Sequence, residues 1–328
     1  MKHPHSAKEV ELRRGYALYR GERAAPVKAK PAALTTGMSV NDAFKAVIWA
    51  SLAHLQANER GMLEGTDPEY LHQMRVALRR LRSAFSVFAP LLPVAVIAPA
   101  AAELKWLAAS LGPARDWDVF VTETLPRIQA KFGRHEALAA FGEQCTRLCR
   151  AAGRKARRAV ASKRYQQLVL SLAGWLTAEA WLTQMDEAGR AALAAPVREF
   201  ARSVLEERCN RVHKRGRKLV QLSPAELHRL RIAIKKFRYA ADFFAVLYKG
   251  KHVRETPQRL ARLQDILGAI NDAATVGNLV GEVVRGAAGR RIAETRGILL
   301  GWSRGRVATL RRELTSAWKL FRGTERFW

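Results

Sequence analysis

The sequence predicts an all-α protein built from one helical unit written twice. Three observations carry that prediction. Apolar residues recur at three- and four-residue steps along nearly the whole chain, and alternating strand patterns are scarce. Alanine is abundant, and glycine punctuates the segment ends. Two long segments also recur in the same order at one ungapped spacing.

Residues 1–38 differ from the rest. Pro4, Pro26 and Pro31, with the basic run Pro26-Val27-Lys28-Ala29-Lys30, predict an extended tail or linker with a short ordered piece at Glu9 to Tyr19. The first residues lack the apolar run of a signal peptide. Amphipathic helices are expected within Val40 to Gln56, Leu71 to Phe88, Ala137 to Cys149, Leu168 to Leu182, Val197 to Val212, Leu227 to Tyr248 and Ile292 to Leu320. Their short connections suit antiparallel bundles. Phe85 to Ala102 is almost wholly apolar, but Pro90, Pro93 and Pro99 argue for a proline-bounded interhelical loop and against a membrane span.

The repeat sets the organisation. LHQMRVALRRLRSAFSVF from Leu71 returns as LHRLRIAIKKFRYAADFF from Leu227, and LKWLAASLGPARD from Leu104 returns as LARLQDILGAIND from Leu260. His72 thus falls on His228, Gly112 on Gly268 and Asp116 on Asp272. The chain divides into a tail (1–38), a first repeat (39–190) and a second (191–328). Two such bundles are expected to pack with pseudo-twofold symmetry, like surfaces together.

The 328 residues carry 57 Lys+Arg against 29 Asp+Glu, a formal net charge of +28, and 48% are hydrophobic. That apolar content excludes wholesale disorder. The charge points to a polyanionic partner: nucleic acid, an anionic membrane or a phosphate polymer. Cys145, Cys149 and Cys209 cannot close a disulfide set and lack zinc spacing, so a reducing, cytoplasmic compartment is expected. The eight tryptophans mostly sit among apolar residues, where core packing is their default role.

On a wheel with Leu71 at zero, Leu71, Met74, Leu78, Leu81, Phe85 and Phe88 form a broad apolar stripe, while His72, Arg75, Arg79 and Arg82 lie roughly 20° to 100° round. The second copy repeats this with Leu227, Leu230, Ile234, Phe237 and Phe244, then His228, Arg231, Lys235 and Arg238. The basic stripe is edged by Val76 and Ile232 and shows no acidic i,i+4 partner within it, unlike an ordinary solvated face. Clustered cations repel, and a bound anion removes that cost. Arginine forks suit phosphate oxygens, and histidine adds a hydrogen-bonding group that charges as pH falls. Arg80, Lys236, Arg211, Lys214 and Lys218 complete the candidate contacts.

Asp116 and Asp272 follow the LGP and LGA segments and are expected to N-cap the next helix, or else to hold a stripe arginine. Neither paired carboxylates for a metal nor a Gly-rich nucleotide loop is evident, so no metal, cofactor or catalytic residue is expected. A phosphoryl-transfer enzyme using His72 or His228 is the weaker reading, since neither has an evident orienting partner. Composition alone also permits a nucleic-acid binder.

The paired His-containing motifs, with LGPARDWDVF and LGAIND, resemble the CHAD family, the conserved histidine α-helical domain, from about Val40 to Trp328. The resemblance implies two four-helix bundles related by pseudo-twofold symmetry around a basic central pore. It implies inorganic polyphosphate as ligand, with His72, Arg75, Arg79, Arg82, His228, Arg231, Lys235 and Arg238 as contacts. Association with polyphosphate granules or with an enzyme of phosphate metabolism follows from the same resemblance, nucleic acid being a competing polyanion. Ser6 to Tyr16 is similar to the exit of a CYTH domain, the rest of which is absent, so CYTH chemistry is not transferred.

Overall fold

The computed structural model describes residues 25–133, 135–283 and 290–328; the CYTH-like segment and the piece at Glu9 to Tyr19 lie outside them. The protein is all-α. Among the described residues the only β-type pairing is one antiparallel bridge, Ser39 to Pro196, closed by Val40 N–H to Ala195 O (2.9 Å) and Val197 N–H to Met38 O (3.0 Å).

The helices are α1 (Val40–Ala57), α2 (Glu59–Glu64), α3 (Pro68–Phe88), α4 (Val94–Val119), α5 (Leu125–Phe132), α6 (Glu136–Val160), α7 (Lys163–Ala178), α8 (Glu187–Ala194), α9 (Val197–Gly216), α10 (Pro224–Phe244), α11 (His252–Val283) and α12 (Arg290–Arg322). Their starts follow the sequence. A Ser39–Asp42 capping box opens α1, Asp67 with Pro68 opens α3, and a Ser223–Glu226 box with Pro224 opens α10. These helices form two compact units, Met1–Arg115 with Arg154–Ala201, and Asp116–Gly153 with Arg202–Trp328. Each is discontinuous in sequence, unlike a split near residue 190.

The first unit packs around aromatics. Phe44 meets Trp181 edge-on at 5.2 Å and tilts on Phe88 at 5.2 Å, and Trp175 lies 4.6 Å from Trp181. Trp181 is fully buried, so its indole N–H needs an acceptor, and Asn41 Oδ1 supplies one at 2.9 Å. Trp49, by contrast, is 37% exposed. The second unit has its own cluster of Trp117, Phe120, Leu125, Ile128, Leu138, Phe141, Val276 and Leu299.

Two expectations change. Val94 onward is helix, not loop. The alanines around Pro99 favour helix strongly enough to tolerate one missing N–H near an exposed N-terminus. Val94–Phe132 is long and apolar enough to cross a membrane by composition alone. Leu104, Leu107, Leu111, Trp117 and Ile128 are buried, whereas most of the apolar window reaches solvent, with Val94 77% exposed. Second, Asp116 and Asp272 cap nothing: α4 runs through Pro113 to Val119 and α11 runs through Gly268. A π-helical turn at Phe120–Thr124 then carries the chain into α5, where Pro126 occupies the first turn.

The end of the predicted linker is docked. Val27 N–H donates to Asn58 Oδ1 and Val27 O accepts from Asn58 Nδ2, both at 2.9 Å, so one carboxamide pairs the segment as a strand neighbour would. Ala32 and Leu34 are buried behind it.

Candidate functional site

Helix α3 is buried almost all round. Leu71, Met74, Leu78, Leu81, Phe85 and Phe88 face the core, and Gln73, Ala77 and Ala84 are buried on the opposite flank. Only the stripe stays open: His72, Arg75 and Arg79 are half-buried and Arg82 is exposed. Burial, then the charge of Arg115, pushes the His72 imidazole below its ordinary value; Arg79 and Arg75 add to this and Glu69 opposes it. His72 is therefore a neutral hydrogen-bonding group beside three guanidiniums. Arg75 lies against α4 where Gly112 offers no side chain, its Nη1 3.4 Å from the position of a Cβ there. The Nε of Arg79 is buried with no partner. A donor so placed is costly unless an acceptor arrives.

The second unit reproduces this on α10. Arg231 and Lys235 are half-buried, His228 is exposed, and Arg231 Nε is again buried without a partner. His228 Nδ1 lies 3.3 Å from Asn271 Oδ1 on α11, an amide oxygen that accepts from an Nδ1–H. Solvent reaches the outer edge of Asp272, yet burial of its carboxyl raises its pKa; Arg231 and the Asn271 bond oppose this, while Asp116 and Glu123 add to it. The charge of Arg231 reaches Asp272, the neighbour expected of its second role. The stripe is not wholly without acidic neighbours. Arg238 has Asp242 at 3.7 Å, one turn on, and stacks 5.8 Å over Tyr239.

Other expected contacts fall elsewhere. Arg80 is 8% exposed on the far flank of α3, with Nη2 3.5 Å from Lys30 O, away from the stripe. Lys236, at the repeat-equivalent position, likewise leaves the stripe and neighbours Arg208, Arg211 and Arg215. Arg211 pairs with Glu207 at 2.5 Å, and Lys214 and Lys218 are exposed near the end of α9. Sequence reasoning passed over Arg115 and Asn271. Both immediately precede a repeated aspartate and both face the repeated histidine, so the repeat register held the information. Among the described residues no cluster of three His, Cys, Asp or Glu side chains could hold a metal.

Fold and site define a helical protein with a duplicated histidine–arginine helix whose open edge is suited to anions. The CHAD domain family model matches residues 46–280, and the chain belongs to that family. It is similar to the CHAD domain from the plant Ricinus communis, with 32% identity over 92% of this chain and 98% of that one, at a TM-score of 0.79. PptA from Streptomyces chartreusis shares the fold at 17% identity, covering 86% of this chain and 100% of that one, at a TM-score of 0.66. A search of curated proteins returns no match.

Proposed function

We propose that the protein binds inorganic polyphosphate, without catalysis, along its two histidine–arginine stripes. The carrying observation is that Arg79 and Arg231, one in each repeat, both present a buried Nε with no acceptor. A linear polyanion without bases suits such a surface: it offers an oxygen at every phosphate and asks for no stacking platform. His72, held neutral, donates its one N–H to a phosphate oxygen, while Arg75, Arg79, Arg82, Arg115, Arg231, Lys235 and Arg238 supply charge. Membership of the CHAD family supports the same ligand. Binding of this kind would bring the protein to polyphosphate-containing granules in the cytoplasm.

The test is retention of long-chain polyphosphate by the Arg79→Glu/Lys235→Glu protein. Binding is weakened at least about tenfold while the circular-dichroism helical signal persists, and wild-type affinity falls steeply with salt as counterions are released. Undiminished retention overturns the proposal. So does DNA displacing polyphosphate at equal phosphate concentration and salt, which assigns the stripes to nucleic acid.

A further inference from the structure

The stripe leaves much of the charge of the second unit unexplained. Arg208, Arg211 and Arg215 recur on α9 at three- and four-residue steps, so they form one ridge within about 60° of arc. Arg208 is only 8% exposed, and its Nη1 donates to the backbone O of Lys236 at 2.7 Å. That bond fixes the ridge against α10 at a residue about 180° round from Leu227, outside the arc of His228, Arg231, Lys235 and Arg238. Arg211, Arg215 and Lys236 are solvent-accessible, so an ion can reach all three.

The cations act on one another. Burial, then Arg208, Arg211 and Arg215, pushes the Lys236 ammonium below its usual range, against an opposing pull from Glu207. Glu207 is itself engaged by Arg211. Burial first, with Arg211 adding and Glu207 opposing, brings Arg208 down to about 10. Arg208, Arg211 and Lys236 share one carboxylate, and Arg215 adds to the repulsion at Lys236; a group with two or more negative oxygens relieves it. The repeat-related residue of the first unit, Arg80, meets a different fate. It is covered by the docked segment, next to the carbonyl of Lys30.

We propose that Arg208, Arg211, Arg215 and Lys236 form a second anion site, separate from the stripes, that binds the phosphoryl groups of condensed phosphates. The ligand class rests on the polyphosphate reading; the site itself rests on the packing of α9 against α10. The buried Arg208 sets the ridge, Arg211 and Arg215 offer planar forks, and Lys236 offers a point charge from the facing helix. A chain held at a stripe and here at once gains affinity from the proximity of its second segment.

The test is calorimetric titration of the full chain with inorganic triphosphate at low salt, in the Arg79→Glu/Lys235→Glu background. That protein still binds triphosphate, and adding Arg215→Glu/Lys236→Glu weakens this binding by about tenfold or more. The milder Lys236→Gln, checked by its unfolding midpoint, weakens it less, in the same direction. Long-chain polyphosphate, titrated in parallel, distinguishes a chain segment from a free short phosphate. No triphosphate binding in the stripe-reversed background, or no change on altering Arg215 and Lys236, overturns the second site. Unweakened long-chain binding to a stripe-reversed protein that also carries the Arg215 and Lys236 changes overturns the stripe proposal instead.

Discussion

Arg75 and Gly112 are complementary: the guanidinium occupies the space a side chain at 112 would take, with Nη1 3.4 Å from the Cβ position. The repeat partner Gly268 has nothing within 4 Å of its Cβ position. One glycine seats an arginine; the other is merely a weak helix former.

This difference is measurable. Gly268→Ala removes a helix-interior glycine at no steric cost and raises stability by about 0.5–1 kcal/mol in urea unfolding. Gly112→Leu keeps the fold but displaces Arg75, and polyphosphate affinity drops. Equal affinity in the two variants would show that Arg75 needs no seat.

Acidification weakens the fold through its histidines. His54 Nε2 faces Val27 O (2.9 Å) and Gln73 Oε1 (3.1 Å), while Nδ1 is buried without a partner. Burial, as the larger cause, holds His54 below its ordinary 6.5, and His72 and His213 are lowered chiefly for the same reason. The unfolded chain therefore binds these protons first. Their contribution to stability is complete above pH 6.5 and is lost as pH falls through the lowered folded values. Urea midpoints between pH 7.5 and 5 fall accordingly, and the fall is shallower in His54→Gln. NMR titration places His72 below free histidine, and polyphosphate moves it upward.

Asn58→Ala leaves Val27 N–H without its acceptor, removes one of the two partners of Val27 O (His54 Nε2, at 2.9 Å, is the other) and loses the Asn58 Nδ2 bond to His54 O (2.9 Å). The expected cost is about 1–3 kcal/mol for the hydrogen bonds lost. Amide exchange at Val27 and protease cleavage near Lys28 and Lys30 both accelerate. Unchanged protection would mean that the segment is held by Ala32 and Leu34 alone.

Gly216→Val tests packing in the second unit. A Cβ at 216 would lie 2.2 Å from Trp318 Cη2 and Cζ2, ring atoms of a buried indole. Overpacking of this kind costs about 1–3 kcal/mol. Near-ultraviolet circular dichroism and the thermal midpoint report it; an unaltered midpoint would show that Trp318 yields freely.

The helices and the stripe were legible because both follow from local periodicity and from the repeat. Leu71 to Phe88 lies within α3, and its wheel separates core from cations as the structure does. Properties that depend on distant chain were not legible. Arg80 and Lys236 share the Arg/Lys alphabet of the stripe and lie about 180° round the wheel from Leu71 and Leu227, and only the packing of Lys30 and Arg208 shows what they meet there. Proline and glycine misled at Pro99 and Gly112–Pro113, where they read as breaks. An alanine-rich flank carries the helix through Pro99, and at Gly112 the glycine makes room for Arg75 without ending it. Asn271 was invisible as a histidine partner because its counterpart, Arg115, meets His72 through charge, not through an amide.

The docked segment has a consequence for how the duplicated halves can diverge. Arg80 now belongs to architecture: its neighbours are a carbonyl and a strap of backbone, and replacing it disturbs folding before it disturbs recognition. Lys236 stands at the corresponding place without that cover, open to solvent and to selection by whatever ion it meets. Two descendants of one ancestral position have thereby come under separate constraints, so natural variation should be conservative at the first and should follow ligand preference at the second.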